Sequence, residues 1–290
     1  MFRKGEEVVK PGGPEFIYPI RPRLRNVRQR PLPLPNGCGL RRATPGVRRS
    51  ALMGYCAGVG EGTTIARGRD AEIVDLGGGR VLRRFSGPRP MEAEALVMRV
   101  VREAGYPVPE VFEVRRDGMV LERVEGPTML DDLATHPWRV QRHARTLATL
   151  HRDLHRIRAF EGLPARFGDP APDDVVVHGD LHPGNIMLSR SGPVVIDWTS
   201  GGRGPAGADV ADAWLILASA QPAGGLLMRA LAGALRGRFL ETFLREAGRF
   251  EAVPYLRLAL EERAADPNIT PSEKAAMRKV AAAQAPHDVT

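Results

Sequence analysis

The residues best suited to chemistry in this 290-residue chain lie in one short segment, His178-Gly179-Asp180-Leu181-His182-Pro183-Gly184-Asn185, followed by Val194-Val195-Ile196-Asp197-Trp198. Asp180 and Asn185 stand five apart in a loop between two short apolar runs, residues 175–177 and 186–188, and Asp197 closes a third run, residues 194–196. Runs this short, linked by polar loops with no room for crossover helices, can bring all three side chains to one end. Asn185 offers a neutral oxygen and Asp197 an anionic one, the hard ligands that Mg²⁺ takes while it also holds nucleotide phosphates. Asp180 can orient an incoming hydroxyl and accept its proton. The trio therefore suits phosphoryl transfer, in which a protein contributes mainly position and charge balance.

The flanking sequence supplies elements to carry such a site. Short β-type runs cover residues 63–66, 72–76 and 80–85, the last two joined by Gly77-Gly78-Gly79. Pro90 opens a helix to about Ala104, with Ala93, Leu96, Val97, Val100 and Val101 on its apolar stripe and Gly105 and Pro107 as the stop. Two further strands, residues 111–115 and 119–123, turn at Asp117-Gly118. Beyond a hinge near Val124 to Gly126 the period becomes helical: Val140, Ala144, Leu147, Leu150, Leu154 and Ile157 mark one long helix, buried on one face. Helices are expected over residues 209–220, 226–247 and 253–265. A last one is announced by Thr270-Pro271-Ser272-Glu273, a capping box with proline at the first helical position.

Composition narrows the class of partner. The chain carries a formal charge of +8, but residues 1–52 alone hold 12 Lys and Arg against 3 Asp and Glu, leaving 30 against 31 elsewhere. That segment also holds 8 of the 25 prolines and has no aromatic interleaving, so it reads as a disordered basic Pro/Arg-rich extension, or as sequence ahead of a start at Met53. A nucleic-acid partner is not expected. Cys38 and Cys56 form no CxxC pattern, which points to a reducing, cytoplasmic setting. Residues 213–235 are almost wholly apolar, yet Gln221, Pro222, Gly224 and Gly225 interrupt them, so two helices joined by a turn are expected and not a membrane span.

The segment from His178 to Trp198 resembles the catalytic and metal-binding loops of the aminoglycoside phosphotransferase and choline kinase-like family, which shares the protein-kinase fold. Protein kinases show H-R-D-x-x-x-x-N and D-F-G; here His178-Gly179-Asp180 precedes Asn185, and Asp197-Trp198 replaces Asp-Phe. The resemblance, from about Thr63 to the final helix, implies an α+β, bilobal protein-kinase-like fold. Residues 53–126 would form a small N-lobe sheet with one helix, and residues 127–290 a larger helical C-lobe. It also implies an enzyme that moves the γ-phosphate of ATP or GTP, with Mg²⁺, to a hydroxyl of a small molecule such as an aminoglycoside, amino alcohol or sugar. Asp180 would be catalytic, and Asn185 and Asp197 metal ligands. Arg83 would sit on the α- and β-phosphates with Glu94 as its ion-pair partner. Gly68, in Gly68-Arg69-Asp70-Ala71, would belong to the phosphate-covering loop, and Glu122 to Gly126 to the hinge against adenine. Asp209-Val210-Ala211 would brace the catalytic loop. The chain departs from kinases in carrying Arg where Lys is usual, and in lacking G-x-G-x-x-G at Gly68. Arg83 and Arg84 both remain candidates for the phosphate position, although strand alternation sends them to opposite faces. Acceptor identity, ATP against GTP and oligomeric state stay open.

Other readings compete. A kinase-like module could bind nucleotide and transfer nothing, but such modules lose the residues present here as Asp180, Asn185 and Asp197. His178, Asp180 and His182, at alternate positions, could ligate the metal of a phosphoesterase. His151 and His155, four apart on the long helix, read as packing rather than a metal pair. Asp173-Asp174 read as a solvated loop, and Asp131-Asp132 as first-turn acids favoured by the helix dipole. Acids of the C-terminal helices, such as Glu241, Glu251 and Glu262, interleave with arginines including Arg257 and Arg263, so no acidic pocket for a cationic substrate emerges.

Overall fold

A computed structural model describes residues 62–67, 71–87, 89–220, 226–267 and 269–284, with the side chains of 226–231 left aside. The basic extension 1–52, Gly68 and the glycine-proline break at 221–225 lie outside the described residues.

Five strands, β1 (Thr63–Arg67), β2 (Ala71–Gly77), β3 (Arg80–Phe85), β4 (Val111–Val114) and β5 (Gly118–Glu122), form one antiparallel sheet in the order β1-β2-β3-β5-β4. On β3, Val81 and Phe85 join the main core, whereas Leu82 packs with Val74 and Val120 on the other face. Arg83 shares the parity of Val81 and Phe85, so strand alternation turns it toward α1 (Glu92–Glu103). That helix buries Glu94, Ala95, Val97, Met98 and Val101, whereas Ala93 is exposed and Leu96 and Val100 are half-buried. The buried face is thus rotated from the expected stripe, because Glu94 faces Arg83 and an apolar count passes over a buried carboxylate.

The chain leaves the sheet at Gly126, whose φ of +138° and 2.2 Å spacing from an ideal Cβ to the Leu188 carbonyl admit only glycine. Beyond it lie α2 (Met129–Thr135), a 3₁₀ turn at Pro137–Arg139 and α3 (Val140–Leu154). Val140, Ala144, Leu147, Leu150 and Leu154 are all buried on α3. Ile157 falls past its end, where its carbonyl instead accepts from the Val176 amide at 2.9 Å. Asp131 closes a capping box with Thr128, but Asp132 is more than a first-turn acid: it is buried and accepts from Arg139 at 2.7 Å while facing His143 at 2.6 Å.

Four short strands follow: β6 (Val175–Val177), β7 (Ile186–Ser189), β8 (Gly192–Val195) and β9 (Gly202–Gly204), paired as β6-β9 and β7-β8. The third apolar run was expected at 194–196 and begins two residues earlier. Strand β9 was not expected, since Gly202-Arg203-Gly204 has no β propensity. The remainder is helical: α4 (Ala206–Ser219), α5 (Leu226–Ala247), α6 (Arg249–Ala252), α7 (Leu256–Ala265) and α8 (Pro271–Ala283). A short 3₁₀ turn at Val253–Tyr255 precedes α7, which starts later than residue 253. Thr270 and Glu273 cap α8 reciprocally, as their spacing predicts. Among the described residues no helix is long and apolar enough to cross a membrane.

Candidate active site

Asp180 and Asn185 meet directly. The Asn185 amide nitrogen donates to the Asp180 backbone carbonyl at 2.9 Å and to its Oδ2 at 3.0 Å. With both amide hydrogens directed there, Oδ1 is the Asn185 atom left to ligate a metal. Asp197 follows one residue after the Ile196 amide, which donates to the Asn185 carbonyl at 2.9 Å. It occupies a left-handed conformation, φ 62°, uncommon for a non-glycine residue. Gly179 supports the turn before Asp180: its φ is +68°, and an ideal Cβ there would lie 2.7 Å from the Ser200 carbonyl.

Arg83 joins the sheet to this loop cluster. It donates to Glu94 Oε1 at 2.6 Å, to Asp197 Oδ1 at 2.7 Å and to Thr199 Oγ1 at 3.2 Å. Burial alone would lower the pKa of this guanidinium, but Asp197 and Glu94 raise it. Burial raises Glu94 above the usual carboxylate range, and Arg83 offsets this only in part. Asp197 is held below that range, because Arg83 and a 2.8 Å bond from Thr199 outweigh burial. An ionised carboxylate and a free amide oxygen make a donor set that fits Mg²⁺. Arg84 takes the opposite face, bridging Glu72 at 3.1 Å and Asp117 at 3.4 Å. Glu122 is turned toward Arg102 at 3.3 Å and accepts from the Glu110 amide at 3.1 Å.

The loop is braced from beneath. Asp209, essentially buried on α4, accepts from the Gly179 amide at 2.8 Å and the His178 amide at 3.3 Å. His155 Nε2 lies 2.9 Å and His151 Nδ1 3.6 Å from Asp209 Oδ2. Burial would raise this carboxyl, yet the two histidines hold it well below the usual range. His178 is fully buried, its Nε2 3.1 Å from the Ile196 carbonyl and its ring 4.6 Å from that of Trp198. It is thus walled in where a phosphoesterase would need it on a metal. Among the described residues, the trio of His, Cys, Asp and Glu close enough to share a metal is His151, His155 and Asp209, and the Asp209 oxygens already serve the loop amides.

Nothing in the sequence pattern singles out Arg263, whose Nη2 donates to Asp180 Oδ1 at 2.7 Å. A signal did exist on the other side of that contact. Asp209 and Asp212 stand three apart in an otherwise apolar helix, so both must be buried and both need cationic or donor partners.

The buried histidines make stability depend on pH. Burial holds His151 and His178 below the usual imidazole range despite nearby carboxylates. A depressed imidazole contributes stability that is present above its unfolded value, about 6.5, and lost as pH falls through the folded value. Asp212, raised by burial to about 6, acts in the opposite sense over the pH range below that value. His143 and His182 are lowered by burial in the same way and Glu94 is raised, so four imidazoles oppose two carboxyls and unfolding free energy should fall between pH 7.5 and 5.5. Urea midpoints at the two pH values measure this, and a midpoint that rose on acidification would contradict it.

The fold is the bilobal protein-kinase-like one. At 16% identity, the structure of a thermostable mutant of the aminoglycoside phosphotransferase APH(4)-Ia superimposes with a TM-score of 0.54, over 77% of this chain and 94% of that one. Its ternary complex with AMP-PNP and hygromycin B superimposes at 0.52, with 15% identity over 76% and 91%. Residues 160–258, which contain Asp180, Asn185, Asp197 and Asp209, match the model of the phosphotransferase enzyme family. The resemblance of the His178–Trp198 segment is borne out. Two curated relatives are more distant in kind. One is a probable bifunctional tRNA threonylcarbamoyladenosine biosynthesis protein of Methanoculleus marisnigri, 25% identical over 46% of this chain and 23% of its own length. The other is a probable serine/threonine-protein kinase BUD32 homolog of Archaeoglobus fulgidus, 26% identical over 38% and 45%. The chain spans less than half the length of either.

Proposed function

We propose that this protein is a cytoplasmic phosphotransferase that moves the γ-phosphate of ATP or GTP to a hydroxyl of a small molecule, an aminoglycoside, amino alcohol or sugar being the leading classes. The observation that carries the reading is the continuous chain of contacts from Glu94 through Arg83 to Asp197, beside the bond from Asn185 to Asp180. Asn185 Oδ1 and Asp197 would hold Mg²⁺, whose charge, when bound, screens that of the phosphates. Arg83, anchored by Glu94, presents the rest of its fork to the α- and β-phosphates. Asp180 orients the acceptor hydroxyl and takes its proton; each of its oxygens keeps a second acceptor position beyond the bond it already makes. Gly68 and its neighbours would cover the phosphates, and the chain from Glu122 to Gly126 would line the adenine. Neither nucleic acid nor membrane enters this reading.

The direct test is a nucleotide-consumption screen over hydroxyl metabolites and antibiotics, with Asp180→Ala as the blank and a protein substrate included because one relative is named a probable protein kinase. Wild type that matches the blank on every acceptor, while still binding Mg·ATP, would favour a non-catalytic nucleotide-binding module. The two arginines give a second check. Arg83→Ala should weaken Mg·ATP binding at least tenfold, the loss of a charge-assisted phosphate contact being worth about 1.5–3 kcal/mol. Arg84→Ala should leave it within about twofold. Isothermal titration distinguishes them, and equal losses would reject the assignment of Arg83.

A further inference from the structure

Arg263 stands in the last turn of α7, outside the 160–258 segment that matches the phosphotransferase family and 83 residues from Asp180. Its side chain is only 13% exposed. Nε and Nη2 donate to Asp212 Oδ1 and Oδ2, both at 2.6 Å, while Nη2 also reaches Asp180 Oδ1 at 2.7 Å and the Gly179 carbonyl at 3.2 Å. Asp212, on α4, is 1% exposed and grips the guanidinium by both oxygens. Asp180 is thus held from two sides: Asn185 donates to Oδ2 and Arg263 to Oδ1. Donors on opposite oxygens fix the torsion of the carboxylate as well as its place.

A buried ion pair rarely stabilises a fold more than apolar side chains of the same volume would. The Asp212–Arg263 pair therefore calls for a reason beyond stability, and its third contact supplies one. We infer that Arg263, anchored by Asp212, is a positioning residue that holds the Asp180 carboxylate in the orientation that receives the acceptor's proton. This rests on the assignment of Asp180 as base. It adds that α4 and α7 set the base's geometry from outside the His178–Trp198 loops. Arg263 touches no reacting atom; it acts through Asp180. A planar fork is required, since one guanidinium must serve Asp212 and Asp180 together, which a lysine ammonium does less well.

The test uses the full chain and Mg·ATP consumption with the most active compound of the acceptor panel. Arg263→Ala should lower kcat about 30- to 100-fold, the scale of an ångström-sized misplacement of a catalytic group, with Mg·ATP affinity within about twofold of wild type. Arg263→Lys should fall between the two, and Asp212→Asn should lower kcat about tenfold by loosening the fork. Guanidinium chloride at roughly 10–50 mM should restore a substantial part of the Arg263→Ala activity. Wild-type kcat in Arg263→Ala would overturn the proposal. So would a loss matched by an equal loss of Mg·ATP affinity and unmoved by guanidinium, which marks a merely structural role. A crystal structure of Arg263→Ala supplies a readout independent of turnover: the Asp180 carboxylate should rotate or split into several rotamers, and an unchanged single rotamer would reject the inference. If wild type matches Asp180→Ala on every acceptor, the proposed function fails, and the rotamer alone decides what Arg263 does.

Discussion

Replacing Asp180 with alanine should reduce kcat for phosphoryl transfer by about 10²- to 10⁴-fold while leaving the Kd for Mg·nucleotide within about twofold. The split follows from the separation of roles. Arg83 meets both Asp197 and Glu94 without using Asp180, so the side of the site proposed to hold the phosphates should survive its loss. What disappears is the acceptor for the hydroxyl proton, together with the atom on which Arg263 and Asn185 converge. Asparagine is a poor isostere at this position. Both carboxylate oxygens face donors, Arg263 on one side and Asn185 Nδ2 on the other, so an amide nitrogen placed at either would meet another N–H. Alanine is the cleaner probe. Steady-state turnover and calorimetric titration of the same preparation give both numbers, and a variant that kept full transfer activity would refute Asp180 as base.

Asp209→Ala should be strongly destabilising, costing about 3–5 kcal/mol of unfolding free energy. It strips the acceptor from two loop amides, those of His178 and Gly179, and removes the carboxylate that faces His155 at 2.9 Å and His151 at 3.6 Å. Unsatisfied buried donors cost about 1–3 kcal/mol each. The effect should reach activity, since Gly179 precedes Asp180 and its left-handed turn depends on the held amide. Urea unfolding measures the loss. Should the alanine variant fail to fold, Asp209→Asn keeps an oxygen for the Gly179 amide while placing a nitrogen beside the His178 amide and His155, and a smaller loss is expected. A cost below about 1 kcal/mol would show that the loop is braced by other contacts.

Much of the fold was legible because its signals are local. The alternation on β3, the i+3 and i+4 spacing on α3 and the Thr270–Glu273 box each act within a few residues, where backbone geometry dictates what can touch. Elements that form only against a partner were less legible. Strand β9 has no intrinsic preference for extension and exists because β6 is there to pair with it. The buried face of α1 was misjudged at Ala93 for a related reason: Glu94 is a core residue only because Arg83 waits opposite it.

The same division runs through the site. Residue type and spacing alone pointed to the chemistry, an Asp–Asn pair five apart and an Asp after a third apolar run, because the loops between those runs, residues 178–185 and 189–193, are short enough to leave few ways to place their ends. Tertiary structure decided which of two adjacent arginines faces Asp197 and which helix reaches Asp180. Arg83 bonds Asp197 across 114 positions and Arg263 bonds Asp180 across 83, and at such separations only the packing of whole elements sets who meets whom.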